Sequence, residues 1–175
     1  MHRELDGDGS RRIVVLHGLG GIGKTQLTIA YAKRQKESYS AIFWLNIKDE
    51  DSLKRSFAKV AKQILQAHPL ANRLSSVDIK GDLGEVVDAV KAWLSLPNNT
   101  RWLMIYDNYD NPKLPDIRDF LPESYQGSII ITTRSSQVQI GYLIRVRKLE
   151  NISDSLEILS HVSRREGLVN SKDIH

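Results

Sequence analysis

The sequence contains no cysteine among its 175 residues. This absence excludes disulfide bonds, thiolate metal sites and a cysteine nucleophile. No apolar run approaches the roughly 18 residues that a membrane-spanning helix needs, so we predict no membrane segment. The histidines show no metal-binding spacing such as H-E-x-x-H, and the G-x-S-x-G turn of serine hydrolases is missing. Because chains without cysteine suit a reducing compartment, we expect a cytoplasmic location.

A large excess of charge of one sign is also missing. The net charge is only +4, from 25 basic and 21 acidic residues, and the basic residues are scattered along the chain. A dedicated nucleic-acid-binding protein usually concentrates its positive charge on one face, so we predict no direct nucleic-acid binding. A mild positive charge still favours a small anionic ligand such as a nucleotide. The remaining composition, 41% hydrophobic and 26% charged, is typical of an ordinary globular domain.

Short runs rich in β-branched residues alternate with segments of helical periodicity along the chain. The predicted strands are residues 12–16, 41–47, 101–106, 127–133 and 143–146. Helices are predicted after residue 25, where Leu27, Ala30 and Tyr31 recur at helical spacing, and over 49–66, 85–96 and 154–165, with a surface loop over 69–84. This alternation predicts βαβ units and a parallel sheet with helices on both faces. We expect one domain over residues 12–166, between tails at 1–11 and 167–175.

The most specific motif is the segment GLGGIGKT at residues 18–25, which matches the phosphate-binding pattern G-x-x-x-x-G-K-[ST]. Its glycines let backbone N–H groups turn towards phosphate oxygens, and the helix that follows points its positive end at the same anion. Lys24 supplies a cation for the β- and γ-phosphates, and the hydroxyl of Thr25 can ligate Mg²⁺. The candidate nucleotide-binding residues are Gly18, Gly20, Gly21, Ile22, Gly23, Lys24, Thr25 and Gln26.

An acidic residue ends the third predicted strand. Asp107 should lie at the carboxyl edge of the sheet, where ligands bind in open α/β folds, and we predict that it serves the same Mg²⁺ as Thr25. Asn108 can orient water but cannot accept a proton at neutral pH, which makes Asp110 a candidate base. Arg134 follows the fourth strand and is suited to a γ-phosphate, since a guanidinium matches phosphate oxygens. The candidate catalytic residues are Lys24, Asp107, Asn108, Asp110 and Arg134.

Four segments, VVLHGLGGIGKTQLTIAYA, FWLNIKDEDSL, WLMIYDNYDNP and GSIIITTRS, together resemble the nucleotide-binding core of NB-ARC proteins. These are signal-transduction ATPases with numerous domains (STAND), and the four segments are most similar to those of the NOD-like receptors of filamentous fungi. The resemblance implies a three-layer P-loop NTPase fold with a five-stranded parallel sheet in the order 5-1-4-3-2. By position, Lys24 and Thr25 match the Walker A residues, Asp107 the Walker B aspartate and Arg134 the sensor arginine.

The resemblance also implies a switch in an immune-type or cell-death receptor, ADP-bound at rest and ATP-bound and self-associating when active. The family's adenine-enclosing segment is short here, and its helical subdomain and winged helix do not precede His175. We therefore expect an isolated nucleotide-binding core that binds ATP or ADP with Mg²⁺ and hydrolyses ATP slowly.

Three other functions stay open on the sequence. They are the core of a bacterial STAND transcription regulator, a P-loop kinase that phosphorylates a small acceptor, and a scaffold that has lost nucleotide binding. A helix-turn-helix in the full gene would favour the regulator, and a phosphoacceptor screen would identify a kinase. The presence of Lys24, Thr25 and Asp107 argues against the scaffold.

Overall fold

A central parallel sheet organises the chain. The computed structural model describes residue 5 and residues 11–111 and 113–147. Within these residues the strands are β1 Arg12–His17, β2 Ala41–Asn46, β3 Trp102–Asp107, β4 Ser128–Thr133 and β5 Tyr142–Arg145. They form one five-stranded sheet in the order β2-β3-β4-β1-β5, and every neighbouring pair is parallel. The predicted order 5-1-4-3-2 is therefore confirmed, read from the opposite edge.

Strands β3 and β4 lie inside the sheet and are fully buried. β3 ends at the candidate Asp107, and β4 ends directly before the candidate Arg134. All six residues of β3 and all six of β4 are buried. A parallel strand covered on both faces carries a nearly continuous apolar run, which is why WLMIY and SIII were identifiable as strands. The edge strand β5, in contrast, leaves Tyr142 and Leu143 exposed.

Helices cover both faces of the sheet, as predicted. They are α1 Lys24–Arg34, α2 Glu50–Ala67 and α3 Leu83–Leu94. Tyr31 of α1 packs on one face of the sheet, and the apolar sides of α2 and α3 belong to the larger core on the other face. The result is a three-layer α/β fold of the P-loop NTPase type.

The start of α2 is fixed by a reciprocal cap. The side chain of Asp49 accepts a 2.6 Å hydrogen bond from the backbone N–H of Ser52, and the backbone N–H of Asp49 donates to Ser52 Oγ at 3.0 Å. This arrangement satisfies donors that have no partner within the helix. Because Asp49 is the capping residue, the helix begins at Glu50, one position later than predicted.

One expectation about packing was wrong, and the buried side of α1 was not predicted. In α1, Leu27 is 40% exposed, whereas Thr28 and Tyr31 are buried. Thr28 is tolerated there because its hydroxyl donates to the carbonyl of Lys24 at 3.0 Å, so a buried polar group keeps a partner. The predicted surface loop over 69–84 contains a 3₁₀ helix, Asn72–Ser76, whose Leu74 is buried in the core with the preceding Ala71.

The predicted helix over 154–165 and the two predicted tails fall outside the described residues, apart from Leu5 and Arg11. Leu5 packs against the same sheet face as Tyr31. Within the described part of the chain, no helix has both the length and the apolar character that crossing a bilayer requires.

Candidate functional site

The glycine-rich segment connects the end of β1 to the start of α1 at the carboxyl edge of the sheet. Gly23, the residue before α1, has a φ of 97°, in the left-handed region that disfavours side chains with a Cβ. A Cβ on Gly23 would meet nothing within 4 Å, so the backbone angle and not a lack of space requires glycine there. This turn leaves the first N–H groups of α1 directed towards the loop, as anion binding needs.

The beginning of the loop lies directly against Val146, the residue that follows β5. A Cβ on Gly18 would lie 2.6 Å from the carbonyl oxygen of Val146. The N–H of Val146 in turn donates to the carbonyl of His17 at 2.8 Å. Residue 18 must therefore be glycine for β5 to approach this closely.

Lys24 curves back over the loop. Its Nζ donates to the carbonyl oxygens of Gly18 at 2.9 Å and Leu19 at 3.0 Å. Burial lowers the pKa of the Lys24 ammonium, and the carboxylates of Asp110 and Asp107 oppose that shift. Among the described residues, the ammonium thus has neutral carbonyl oxygens as its hydrogen-bond partners, and its place on the loop suits contact with phosphate oxygens.

Asp107 lies behind the loop, where three elements meet. Its Oδ1 accepts the hydroxyl of Thr25 at 2.9 Å and the hydroxyl of Thr132 at 2.6 Å. The Nδ2 atom of Asn108 is 3.5 Å from Oδ2. Asp107 is only 4% exposed. The hydroxyl of Thr25 and the carboxylate of Asp107 are hard oxygen ligands in contact with each other, so these residues fit a Mg²⁺ ion bound together with phosphate oxygens.

The turn after β3 is fastened to the end of β4. Asn108 has a φ of 68°, and its backbone N–H donates to Thr132 Oγ1 at 3.0 Å. The hydroxyl of Thr133 donates to the carbonyl of Tyr109 at 2.6 Å. Together with the bond from Thr132 to Asp107, these contacts hold the residues that follow β3 in one arrangement relative to the loop.

Asp110 is paired with Arg134. One carboxylate oxygen of Asp110 accepts the backbone N–H of Arg134 at 2.6 Å, and the other accepts the side-chain Nε at 2.8 Å. The Asp110 side chain is 19% exposed and the Arg134 side chain 63% exposed. The candidate base and the candidate γ-phosphate sensor are thus direct partners of each other, which the sequence did not indicate.

Most of the predicted site residues line one open cleft of about 360 Å³. Gly18 and Asp107 are the exceptions: Gly18 lies under the Lys24 ammonium, and Asp107 lies behind Thr25. Thr132 belongs to the predicted fourth strand but was assigned no role in the site. Its signal is a polar residue directly after the isoleucines of β4, and its role follows only from the contact with Asp107. The cleft is lined by Gly20, Gly21, Ile22, Gly23, Lys24, Thr25, Gln26, Asn108, Asp110 and Arg134.

A comparison with protein families identifies the family of the chain. The model of the NB-ARC domain matches residues 1–167. The chain belongs to the NB-ARC family. It is therefore a nucleotide-binding module of the STAND class of P-loop NTPases, and the resemblance noted in its four segments is confirmed.

The chain is similar to parts of two larger proteins. A nucleotide-binding leucine-rich repeat (NLR)-like protein of the fungus Hyaloscypha variabilis is 27% identical over 177 residues, which cover 89% of the chain and 17% of that protein. The crystal structure of a STAND protein with a tetratricopeptide repeat sensor from Pyrococcus horikoshii has a similar fold, with a TM-score of 0.53 and 17% identity. That match covers 90% of the NB-ARC chain and 24% of the archaeal protein. The chain thus spans less than a quarter of either protein.

Proposed function

We propose that this NB-ARC chain is the ATP/ADP-binding switch module of a STAND signalling protein of the NOD-like receptor type, with slow Mg²⁺-dependent ATP hydrolysis. The observation that carries the proposal is the meeting of Lys24, Thr25 and Asp107 around the glycine-rich loop. Nucleotide binding, generally with Mg²⁺, is a property of the family. The NLR-like relative supports the receptor type.

The loop and Lys24 would bind the phosphates. Backbone N–H groups at the start of α1 would donate hydrogen bonds to phosphate oxygens, and Lys24 would exchange the carbonyls of Gly18 and Leu19 for β- and γ-phosphate oxygens. This exchange adds the Coulombic attraction between the ammonium and an anionic phosphate to hydrogen bonds in which only the donor was charged.

Thr25 and Asp107 would hold Mg²⁺, which when bound neutralises charge on the phosphate oxygens. Asp107 is positioned for this task before any ligand arrives, because Thr132 fixes its carboxylate from the neighbouring strand. The oxygen of Thr25 would keep lone pairs for the ion while its hydroxyl donates to Asp107.

Slow hydrolysis follows from the groups around the attacking water. Asn108 can orient a water molecule but cannot take its proton. Asp110 has the chemistry of a base, but both of its carboxylate oxygens accept hydrogen bonds from Arg134. A module of this kind keeps its triphosphate long enough for the bound nucleotide to act as the signal.

The wider role of the longer protein is part of the same proposal. We infer a cytoplasmic receptor of the immune or cell-death type that self-associates in its ATP-bound form and makes no direct contact with nucleic acid. The support is the similarity to the fungal NLR-like protein and the match to the NB-ARC model.

Calorimetric titration with ATP and ADP, with and without Mg²⁺, tests the nucleotide assignment. We expect Lys24→Ala to weaken ATP binding at least tenfold, about 1.4 kcal/mol. Lys33→Ala is the matched control, because it removes the same charge from an exposed position in the last turn of the same helix. Thermal unfolding of both variants shows whether they are folded. Equal ATP affinities for wild-type protein and Lys24→Ala would contradict the proposal.

The alternative of a P-loop kinase has one observation in its favour. A second cavity of about 330 Å³ adjoins the phosphate cleft, and Asp110 lines both. Tyr109 and Ser135 are also among its lining residues, so a small polar acceptor would find hydrogen-bond partners there. Labelled ATP offered with a mixture of small hydroxyl compounds distinguishes the two functions, since a kinase transfers the label and an ATPase releases it as inorganic phosphate.

A further inference from the structure

The ion pair between Asp110 and Arg134 lies at the mouth of the phosphate cleft. Both side chains line the cleft together with Lys24. The Arg134 side chain passes close to the loop: a Cβ on Gly20 would lie 3.6 Å from Arg134 Cδ. The guanidinium is therefore near the loop while its Nε is bonded to a carboxylate of the protein itself.

The geometry of the pair is a two-point attachment. Asp110 accepts from the backbone N–H and from the side-chain Nε of the same arginine, at 2.6 and 2.8 Å. The first bond fixes the carboxylate relative to the end of β4, and the second fixes the direction in which the guanidinium leaves the backbone. Asp110 thus brings a negative charge and an acceptor to the same cleft that a terminal phosphate would enter.

We propose that Asp110 determines the selectivity of this site between nucleoside triphosphates and diphosphates, because it holds Arg134 as an internal substitute for the terminal phosphate. The inference rests on the proposed function, since it requires phosphates to bind at residues 18–25. A diphosphate engages the loop and Lys24 and leaves the pair intact. A triphosphate must either withdraw Arg134 from Asp110 or accept repulsion from that carboxylate.

Both consequences disfavour the triphosphate alone. If the triphosphate binds the arrangement in which Arg134 is released, and only a fraction of the molecules have that arrangement, the apparent affinity for the triphosphate is lowered in proportion to that fraction. The repulsion between two anions in one cleft adds to this effect. Asp110 therefore shifts the module towards the diphosphate-bound state without touching the diphosphate.

The substitution Asp110→Asn isolates this role. Asparagine has nearly the same size and keeps a carbonyl oxygen for the backbone N–H of Arg134. It loses the negative charge and the second acceptor that binds Nε. We expect the ratio of ATP affinity to ADP affinity to rise by at least about threefold, in the range that exposed ion pairs contribute.

Asp116→Asn is a closely matched control. Asp116 also accepts from a backbone N–H and a guanidinium of one arginine, Arg118, at 2.9 and 2.8 Å, but neither residue lines the phosphate cleft. This substitution should leave the ATP-to-ADP ratio unchanged. In an Arg134→Ala background, Asp110→Asn should raise the ratio less than in the wild-type background, because the effect acts partly through Arg134.

Isothermal titration with ADP and with ATP, at fixed Mg²⁺, measures all of these ratios. Absence of binding of either nucleotide to the wild-type protein would overturn the proposed function. Binding of both with the same ratio in wild type and Asp110→Asn would overturn only the role of Asp110. A ratio that falls in Asp110→Asn would also overturn it, since Asp110 would then present Arg134 to the triphosphate. Asp110→Ser provides a second neutral variant if thermal unfolding shows that Asp110→Asn is not folded.

Discussion

Asp107 and Thr132 are joined by a 2.6 Å hydrogen bond between the ends of two neighbouring buried strands. The same Thr132 oxygen accepts the backbone N–H of Asn108 at 3.0 Å. One hydroxyl thus fixes both the carboxylate that is proposed to serve Mg²⁺ and the first residue of the turn that follows. Because both side chains are almost fully buried, this contact contributes to folding as well as to the site.

Thr132→Val should separate the contribution of the hydroxyl's hydrogen bonds from that of side-chain packing, since valine has nearly the same volume and lacks the hydroxyl. A hydrogen bond to a charged group is worth about 1.5–3 kcal/mol, so we expect the free energy of unfolding to fall by about 2 kcal/mol. Urea denaturation measures this loss. Thr132→Ser is the control, because it keeps the hydroxyl and should lose much less. Equal losses for valine and serine would mean that packing, and not the bond to Asp107, stabilises this strand end.

Asp107→Asn should spare much of the nucleotide affinity and remove most of its Mg²⁺ dependence. The asparagine offers a neutral oxygen where the ion requires a charged one. ATP titrations over a series of Mg²⁺ concentrations measure the dependence for both proteins. Superimposable curves would show that Asp107 does not serve the ion.

Arg134→Ala should reduce ATP affinity more than ADP affinity, because its proposed partner is the γ-phosphate. A charge-assisted hydrogen bond is worth about 1.5–3 kcal/mol, but solvent screening of a largely exposed arginine reduces this to about 1 kcal/mol, roughly fivefold. Calorimetry with both nucleotides measures the difference. An equal loss for both would assign Arg134 to general electrostatic attraction.

The chain should hydrolyse ATP far more slowly than the typical enzyme turnover of about 10 per second. Asn108→Asp should raise the rate, because it adds a carboxylate beside Asp107 at a position whose φ of 68° aspartate tolerates. Release of inorganic phosphate is the measurement, and Asn111→Asp is the control for an added charge nearby. Turnover of several per second in the wild-type protein, dependent on Lys24, would contradict the expectation and show that a competent base is already present.

Asp49→Ala should destabilise the protein in a pH-dependent way. The hydrogen bond from the backbone N–H of Ser52 lowers the pKa of Asp49 below its ordinary value. The cap therefore stabilises the fold above the unfolded-state pKa of about 3.9 and loses this contribution as the pH falls through the lower folded-state pKa. Thermal melts of wild type and Asp49→Ala should differ at pH 7 and converge in acid. Asp51→Ala, in the same helical turn, should show a smaller difference at pH 7.

The sequence predicted the fold well where one local signal decided it. The buried strands β3 and β4 are identifiable from their apolar runs, and the phosphate loop from the spacing of its glycines, lysine and threonine. The buried side of α1 was not predicted, because helical periodicity does not reveal which side of a short helix faces the sheet. Here the polar Thr28 faces it and donates back to Lys24.

The side-chain pairs within the site were not predictable in the same way. Asp110 and Arg134 are 24 positions apart, and so are the partners Tyr109 and Thr133. Such contacts depend on how far two turns project beyond adjacent strands. Composition and periodicity carry no information about that distance, so each residue was assigned a role without its partner.

The contact between Gly18 and Val146 has a mechanical consequence. With no Cβ at residue 18, the end of β5 lies directly against the first residue of the phosphate loop, and the bond from Val146 to His17 holds it there. A ligand that displaces residue 18 towards β5 would therefore press on the backbone at Val146, and a displacement of Val146 would press on the start of the loop. By thermodynamic reciprocity, any such coupling between a bound ligand and the position of Val146 would be equal in both directions.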